Sequence, residues 1–476
     1  MKKLKTIGTL CALLLLYSCT NEDVKFELPS NNQLISKNVK AINNYIARNH
    51  PAISRSESAK LCPIIHEGDT VAFLANYDKG WELFSNNTDL PMVLMKAKTG
   101  SFYPNTSVTV SPFESYYNEM IESLTSTSYS ETPNQTWTLY NEGRPGSGGD
   151  DNGDNGGDDG NTPEWEWVGD ALERTTDVYT PKGGRLETKW NQGDNFSQYT
   201  PFCKYSPKYH SLVGCVAVAA GQLLYHTHKH WGVPQTTVTT ATYNIDSNTY
   251  TFSGSDSNIW DLMYRGVDEN FSNNAELMKP TAIFLGYVAN EIKSNFGESY
   301  NSATTASLYD CLPFLSSNFR GVLHDKEYLD YRQYYWDGVR IMLNNGYPIL
   351  AFSSIDKGGH TYVIDYGETD TEDWYEIYSY PVKNDSNIDD TDNELDDMAP
   401  SIDFYKKKYG DIEIVKTSSI SNSWMQMNWG WGGNHDDVMI NTDAVEWVVG
   451  SRHYTDHWIL LLLHHYCPLK MDVVKN

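Results

Sequence analysis

Gly214-Cys215-Val216-Ala217-Val218-Ala219-Ala220-Gly221-Gln222-Leu223-Leu224-Tyr225-His226 is the stretch from which the rest of the chain is read. Small and apolar residues recur at helical spacing behind a cysteine that follows a glycine. The pattern predicts a buried helix with Cys215 in its first turn. Unpaired main-chain N–H groups and the positive end of the helix dipole lie there, and both favour a thiolate over a thiol. By itself the stretch is equally what a small core cysteine looks like. The decision rests on what stands elsewhere in the chain.

Two later segments answer Cys215. Gly358-Gly359-His360 sets a histidine at the mouth of a strand-like run, His360 to Tyr366. Asn428-Trp429-Gly430-Trp431-Gly432-Gly433 alternates indoles with glycines, so the backbone can turn tightly beneath flat rings. An asparagine just before such a wall can hold an imidazole by a hydrogen bond, and an indole can shield that bond from water. Cysteine, histidine and asparagine in this order, with this gap between the first two, follow the sequence logic of papain-like proteases.

The chain resembles the streptopain family of bacterial cysteine peptidases, within the papain-like superfamily. The resemblance is carried by Trp190-x-Gln192, Gly214-Cys215-Val216-Ala217, Gly359-His360-x-x-Val363-Ile364-Asp365 and Asn428-Trp429-Gly430-Trp431-Gly432-Gly433. It implies Cys215 as nucleophile and His360 as its base, with Asn428 and Trp429 orienting and shielding the imidazole. Gln192 is its candidate for the oxyanion site. It also implies an α+β architecture: a two-lobed catalytic domain, one lobe helical and one an antiparallel sheet, behind a small α+β prodomain that inhibits it. Residues 30–105 resemble that propeptide more faintly. The chain departs from the family in reading Asp365-Tyr366-Gly367 after the histidine strand, in a long acidic segment between His360 and Asn428, and in the spacing after Gln192.

The rest of the sequence is organised around this catalytic half. Lys2, Lys3 and Lys5 precede an apolar run from Ile7 to Leu16 and then Tyr17-Ser18-Cys19, a secretory signal over residues 1–18 whose end resembles a lipobox. A lipid on Cys19 would give membrane contact, placing the protein at the outer membrane or cell surface, with release after maturation. Residues 20–142 read as a small α+β domain, with helical spacing near 31–49 and strands near 70–77 and 91–97. The Gly/Asp/Asn tract of residues 143–163 can bury nothing and reads as a mobile tether. Residues 164–476 form the peptidase domain. Within it, helices are expected around 282–292 and 336–345, strands at 348–352 and 360–366, and a disordered insertion at 383–400.

Thirty-six basic against 62 acidic residues give a net charge of −26, which argues against nucleic acid or anionic lipid as a partner. Much of that charge lies in two acidic runs, 150–159 and 385–397. Protein or peptide substrates and the chain's own propeptide are the partners expected. No cofactor is called for, and no metal. The alternating His226, His228 and His230 lack a cysteine or acidic partner at ligand spacing, and a helix C-terminus favours histidine through its dipole. Of seven cysteines, Cys11 leaves with the signal and Cys19 is the lipidation candidate; Cys62, Cys203, Cys215, Cys311 and Cys467 remain, an odd number that fits one reactive thiol. The reading is therefore an exported cysteine endopeptidase made as a zymogen. Its rivals are a non-catalytic surface adhesin on the same fold and a cysteine hydrolase of cell-wall peptides.

Overall fold

The computed structural model describes residues 32–50, 61–104, 111–124, 134–142, 165–231, 241–254, 257–266, 272–300, 302–307, 310–311, 313–314, 322–323, 332–355, 358–380, 400–433, 435–442 and 457–461. The signal, Cys19, the tether and most of the acidic insertion lie outside them. In chain order the elements are α1 (Asn32–Asn49), β1 (Leu61–His66), β2 (Asp69–Asn76), β3 (Trp81–Ser85), β4 (Val93–Ala97), α2 (Pro112–Leu124), α3 (Gln135–Glu142) and β5 (Glu166–Tyr179). Then come β6 (Phe202–Cys203), β7 (Ser206–His210), α4 (Cys215–Trp231), β8 (Ala241–Ile245), β9 (Asn248–Phe252), α5 (Ser257–Asp261), α6 (Ala275–Glu291) and β10 (Val322–Leu323). The last are α7 (Arg332–Asn344), β11 (Ile349–Ile355), β12 (Gly358–Ser379), α8 (Ile402–Tyr409), β13 (Ile412–Asn428), β14 (Val438–Asn441) and β15 (His457–Leu461).

Helix α4 is the centre of the helical lobe. Every residue from Val216 to Thr227 is buried, as expected of a helix apolar nearly all round. It packs with α6, whose start is capped by Asn274: the side-chain oxygen accepts from the N–H groups of Glu276 (3.1 Å) and Leu277 (3.3 Å). Trp190, Val218, Leu223, Phe284 and Leu285 share this core.

The other lobe is a sheet in the order β1-β2-β3-β4-β14-β13-β12-β11-β15-β10, with β5 added to β12. Strand β12 pairs with β11 through its first residues, then with β5, while β13 runs along its other edge. Alternation along β12 divides the two cores. Tyr362 and Ile364 join a cluster with Met427 and Val438, whereas Val363 joins the core around α4.

Two features differ from the sequence expectation. First, the sheet crosses the expected domain boundary: β4 pairs antiparallel with β14, setting Ala97 opposite Val438 and Lys96 opposite Met439. Strand pairing has no local signature when the partners are this far apart in the chain. Second, β12 runs well past the strand expected at 360–366, while the disordered insertion expected at 383–400 lies, but for residue 400, outside the described residues. Strands β12 and β13 extend as a long antiparallel pair out to Ser379 and Ile412, and α8 packs Ile402 and Tyr405 against Ala171 and Ile377. The departure at Asp365-Tyr366 coincides with a register shift between Ile364 and Tyr366.

Candidate active site

The nucleophile position is built by Gly214. Its φ is +94°, and a Cβ there would meet Thr304 Cγ2 and O at 3.0 Å, so this turn into the helix requires glycine. Val218 N–H donates to Gly214 C=O at 3.1 Å and closes the first turn of α4. Cys215 follows, partly exposed and free of any disulfide. Cys203 and Cys311 are likewise outside any disulfide.

Strand β12 carries His360 to this helix start. Burial pushes the Cys215 thiol up, but the charge and hydrogen bond of His360 and the main-chain N–H groups of Thr361 and Val216 outweigh it, and the thiol lies below its ordinary value. The ring's Nε2 lies 2.9 Å from the main-chain carbonyl of Trp429. A carbonyl can only accept, so Nε2 carries the hydrogen. That leaves Nδ1 for the hydrogen bond with the sulfur. The Trp429 indole, 2% exposed, stacks against the imidazole with centroids 6.2 Å apart and planes at 25°.

Asn428 does not hold His360, and this corrects the sequence expectation. Its Oδ1 accepts from Gln222 Nε2 (2.9 Å) and from Gly430 N–H (3.2 Å), and its Nδ2 donates to Thr188 C=O (2.9 Å). Pairing of Asn428 with Val363 fixes this geometry. The asparagine joins the lobes, and the carbonyl of the next residue meets the imidazole. Gln222 completes the link by accepting from Trp190 N–H at 3.3 Å. Gly432 N–H donates to Trp190 C=O at 2.9 Å, tying the glycine loop to the same strand of chain.

Gln192 is buried, and its carbonyl accepts from Val213 N–H at 2.8 Å, so its segment runs beside the approach to Cys215. Two acids to which the sequence gave no role also meet the site. Asp436 Oδ1 accepts from Trp429 N–H at 3.0 Å. Asp365, on β12, accepts from Leu186 N–H at 2.9 Å and faces Arg185 Nε at 3.6 Å. Asp365 closes the histidine motif itself, whereas the only signal for Asp436 was a carboxylate close to the glycine loop.

Among the described residues no group of three or more His, Cys, Asp or Glu side chains, those at the far end of α4 included, is placed to hold a metal ion. Nor does the helix dipole account for them. Burial, with the neighbouring His230, pushes His226 down to about 4, while Lys182 C=O (3.0 Å from Nε2) opposes it. His228 stacks on Trp260 with centroids 4.1 Å apart.

A family model, the Peptidase C10 family, matches residues 190–438, more than half of the 476 residues and the whole span from Trp190 to β14. The chain belongs to that family. It is a cysteine-type peptidase with an α+β fold, as the streptopain resemblance implied. Among solved structures it is similar to a fragment of Prevotella intermedia prointerpain A, at 14% identity over 85% of this chain and 99% of that one, with a TM-score of 0.47. It is also similar to the active wild-type interpain A cysteine protease of the same organism, at 16% identity over 60% and 95%, with a TM-score of 0.35. No curated protein matches.

Proposed function

We propose that this peptidase is an exported endopeptidase made as a zymogen, with Cys215 as nucleophile and His360 as general base. The observation that carries this is the meeting of Cys215, at the start of α4, with His360, whose other nitrogen is committed to the Trp429 carbonyl. His360 Nδ1 takes the thiol proton, and the thiolate attacks a peptide carbonyl carbon. The oxyanion that forms is met by the Cys215 N–H, one of the helix's unpaired donors, and by the Gln192 amide; one such donor is typically worth a factor of about 100 to 1,000. Collapse breaks the C–N bond, and Nδ1–H protonates the leaving amine. Water then releases the acyl group from its thioester, with His360 again as base. The Trp429 carbonyl orients the ring and its indole keeps water from that bond.

The zymogen reading is supported by the layer N-terminal to the tether. Phe113 and Tyr116 of α2 lie against the Trp429 ring, with centroids 6.0 and 5.9 Å away, and Phe113 stacks on His435 at 4.4 Å. Farther along, Lys96 of β4 reaches Glu368 (3.0 Å) and Asp370 (2.9 Å) on β12 and lies over the Trp424 ring. The layer thus backs the wall that holds His360. Residues 1–18 act as the export signal, and Cys19 is the residue acylated.

Replacing Cys215 by alanine should abolish peptide hydrolysis while the circular dichroism and melting of the protein stay the same. Comparable turnover by that variant overturns the assignment. N-terminal sequencing of active material should find a new terminus between about 143 and 164; a full-length chain that is already fully active overturns the inhibitory role. A Cys19→Ser variant should no longer take up a labelled fatty acid.

A further inference from the structure

Trp429 is gripped at both of its main-chain polar groups. Its C=O receives His360 Nε2–H at 2.9 Å, and its N–H donates to Asp436 Oδ1 at 3.0 Å. The chain beyond it is glycine-rich, and Gly430 itself has φ +65°, so the following backbone supplies little stiffness of its own. Asp436 is 8% exposed and lies seven residues after Trp429, closing the loop back on its first member. A carboxylate does not accept a buried main-chain N–H by accident of exposure, since desolvating it is costly.

The surroundings of Asp436 are charged from several directions. Arg185, from the segment before α4, donates through Nη2 to the Asp436 carbonyl at 2.7 Å. Lys189 adds a second positive charge, and Asp365 on β12 a negative one. The adjacent His435 packs on Phe113 of α2, with Glu114 and Asp437 as its charged neighbours. Burial, helped by Asp365, outweighs the pull of the Trp429 N–H, Arg185 and Lys189 and leaves the Asp436 carboxyl pushed up to about 7. Asp365 is committed elsewhere, to Leu186 N–H and Arg185, leaving Asp436 as the acid at Trp429.

We propose that Asp436 is a positioning residue of the peptidase: through the main chain of Trp429 it fixes the carbonyl that receives His360 Nε2–H, and its negative charge favours the imidazolium. This rests on the reading of Cys215 and His360 given above. It assigns to Asp436, one residue removed, the work that a side chain hydrogen-bonded directly to the ring would do. Two consequences follow from the geometry. The clamp on the N–H restricts the Trp429 dihedrals and so the direction of its carbonyl. The charge, two hydrogen bonds from the ring, adds a favourable Coulomb interaction with the imidazolium in a partly desolvated site.

Asp436→Asn keeps the size and an acceptor for the Trp429 N–H and removes the charge. In the full chain, the rate of Cys215 alkylation by iodoacetamide is followed against pH, with peptide mapping to separate it from the other cysteines. The upper inflection, which marks loss of the imidazolium, should move down by about one pH unit. Turnover of a fluorogenic peptide by active-site-titrated enzyme should lose about tenfold in kcat with KM within about twofold. Asp436→Glu should bring the inflection back toward its original place. An unmoved inflection in Asp436→Asn overturns the proposal even where activity drops, because a merely structural role lowers the amount of active protein without moving a pH profile. Should that variant not accumulate, the wild-type chain carries the test: with 13C at His Cε1 and Asp Cγ, the His360 and Asp436 signals should share an inflection, and independent titrations overturn the proposal. A wild-type chain with no Cys215-dependent hydrolysis defeats the catalytic reading instead, so the two failures are distinguishable.

Discussion

The two ends of α4 put opposite demands on burial. At the N-terminus Cys215 has burial working against its charged form, yet the nearby His360 and two main-chain N–H groups win, and the thiol is pulled down. At the C-terminus His226 has burial working against its charged form too, and there nothing of comparable strength opposes it. The helix dipole favours charge at both places, by roughly 0.3–1 kcal/mol. It decides neither. What differs is the partner of opposite charge: β12 brings His360 to hydrogen-bond the sulfur at one end, while at the other Glu187 acts on His226 more weakly than burial does.

Removing that partner is the severest test of the comparison. His360→Ala should leave burial dominant at Cys215, so that its thiol rises above the ordinary value and behaves like His226 in mirror image. Alkylation of Cys215 at pH 6 should slow by at least about 100-fold, and peptide hydrolysis should fall by roughly 1,000-fold or more, since nucleophile and base act as a unit. Alkylation at the wild-type rate would mean that the helix start alone ionises the sulfur, and the contrast between the ends would collapse.

The second test acts at the other end. His226 titrates at about 4 in the folded protein against 6.5 in an unfolded chain. Between those values the unfolded chain binds more protons, so stability rises with pH through the window and is lost as the pH falls through about 4. His226→Gln keeps a donor for the Lys182 carbonyl but cannot take up a proton. Compared with it, the wild type should lose up to about 3 kcal/mol on going from pH 7 to below pH 4. Urea unfolding of both proteins across that range isolates the difference, and parallel curves would show that His226 is not buried as a neutral ring.

The catalytic pair was legible because its residue types have few other uses in such settings: a cysteine opening an Ala/Val helix, a histidine behind two glycines, indoles alternating with glycines. The acceptor for the imidazole was not. Asn428 has a side chain suited to the task, and the group that performs it is the main-chain carbonyl of Trp429, which no letter of the sequence distinguishes. Asp436 and Gln222 were missed for a related reason, since each matters through a partner far along the chain. Strand β5 was also passed over. Its central residues Glu173 to Val178 are exposed and lack the apolar alternation that marks a half-buried strand. The join of β4 to β14 depends on register alone and left no trace in either segment.

Between the ends of α4, Gln222 lies seven residues from Cys215, two turns along the same face. Its amide donates to Asn428 and accepts from Trp190 N–H in a fully buried setting. Gln222→Leu keeps much of the volume and leaves the Trp190 N–H without this acceptor, while Asn428 Oδ1 retains only Gly430 N–H. A loss of about 2 kcal/mol is expected from chemical denaturation, independent of pH because no member titrates. A loss that grows toward one pH extreme would tie this amide network to the charged groups beside it and blur the distinction between the helix ends and its middle.

The smallest effect belongs to the exposed charges at the C-terminal end. Lys229 Nζ lies 2.5 Å from Glu187 Oε2, and Arg265 approaches the same carboxylate at 3.8 Å. The hydrogen bond from Lys229 is the largest cause holding the Glu187 carboxyl below its usual range. Both side chains remain in contact with water, however, with 31% and 42% of their surface exposed. Screening and the entropy of pinning a long side chain leave such pairs within about 0 to 1 kcal/mol. Lys229→Met should therefore change stability by less than about 0.5 kcal/mol, and less still in 1 M salt. If instead it shifted stability as much as His226→Gln does in acid, surface charge would govern this end of the helix. Burial would then no longer explain why the histidine stays neutral.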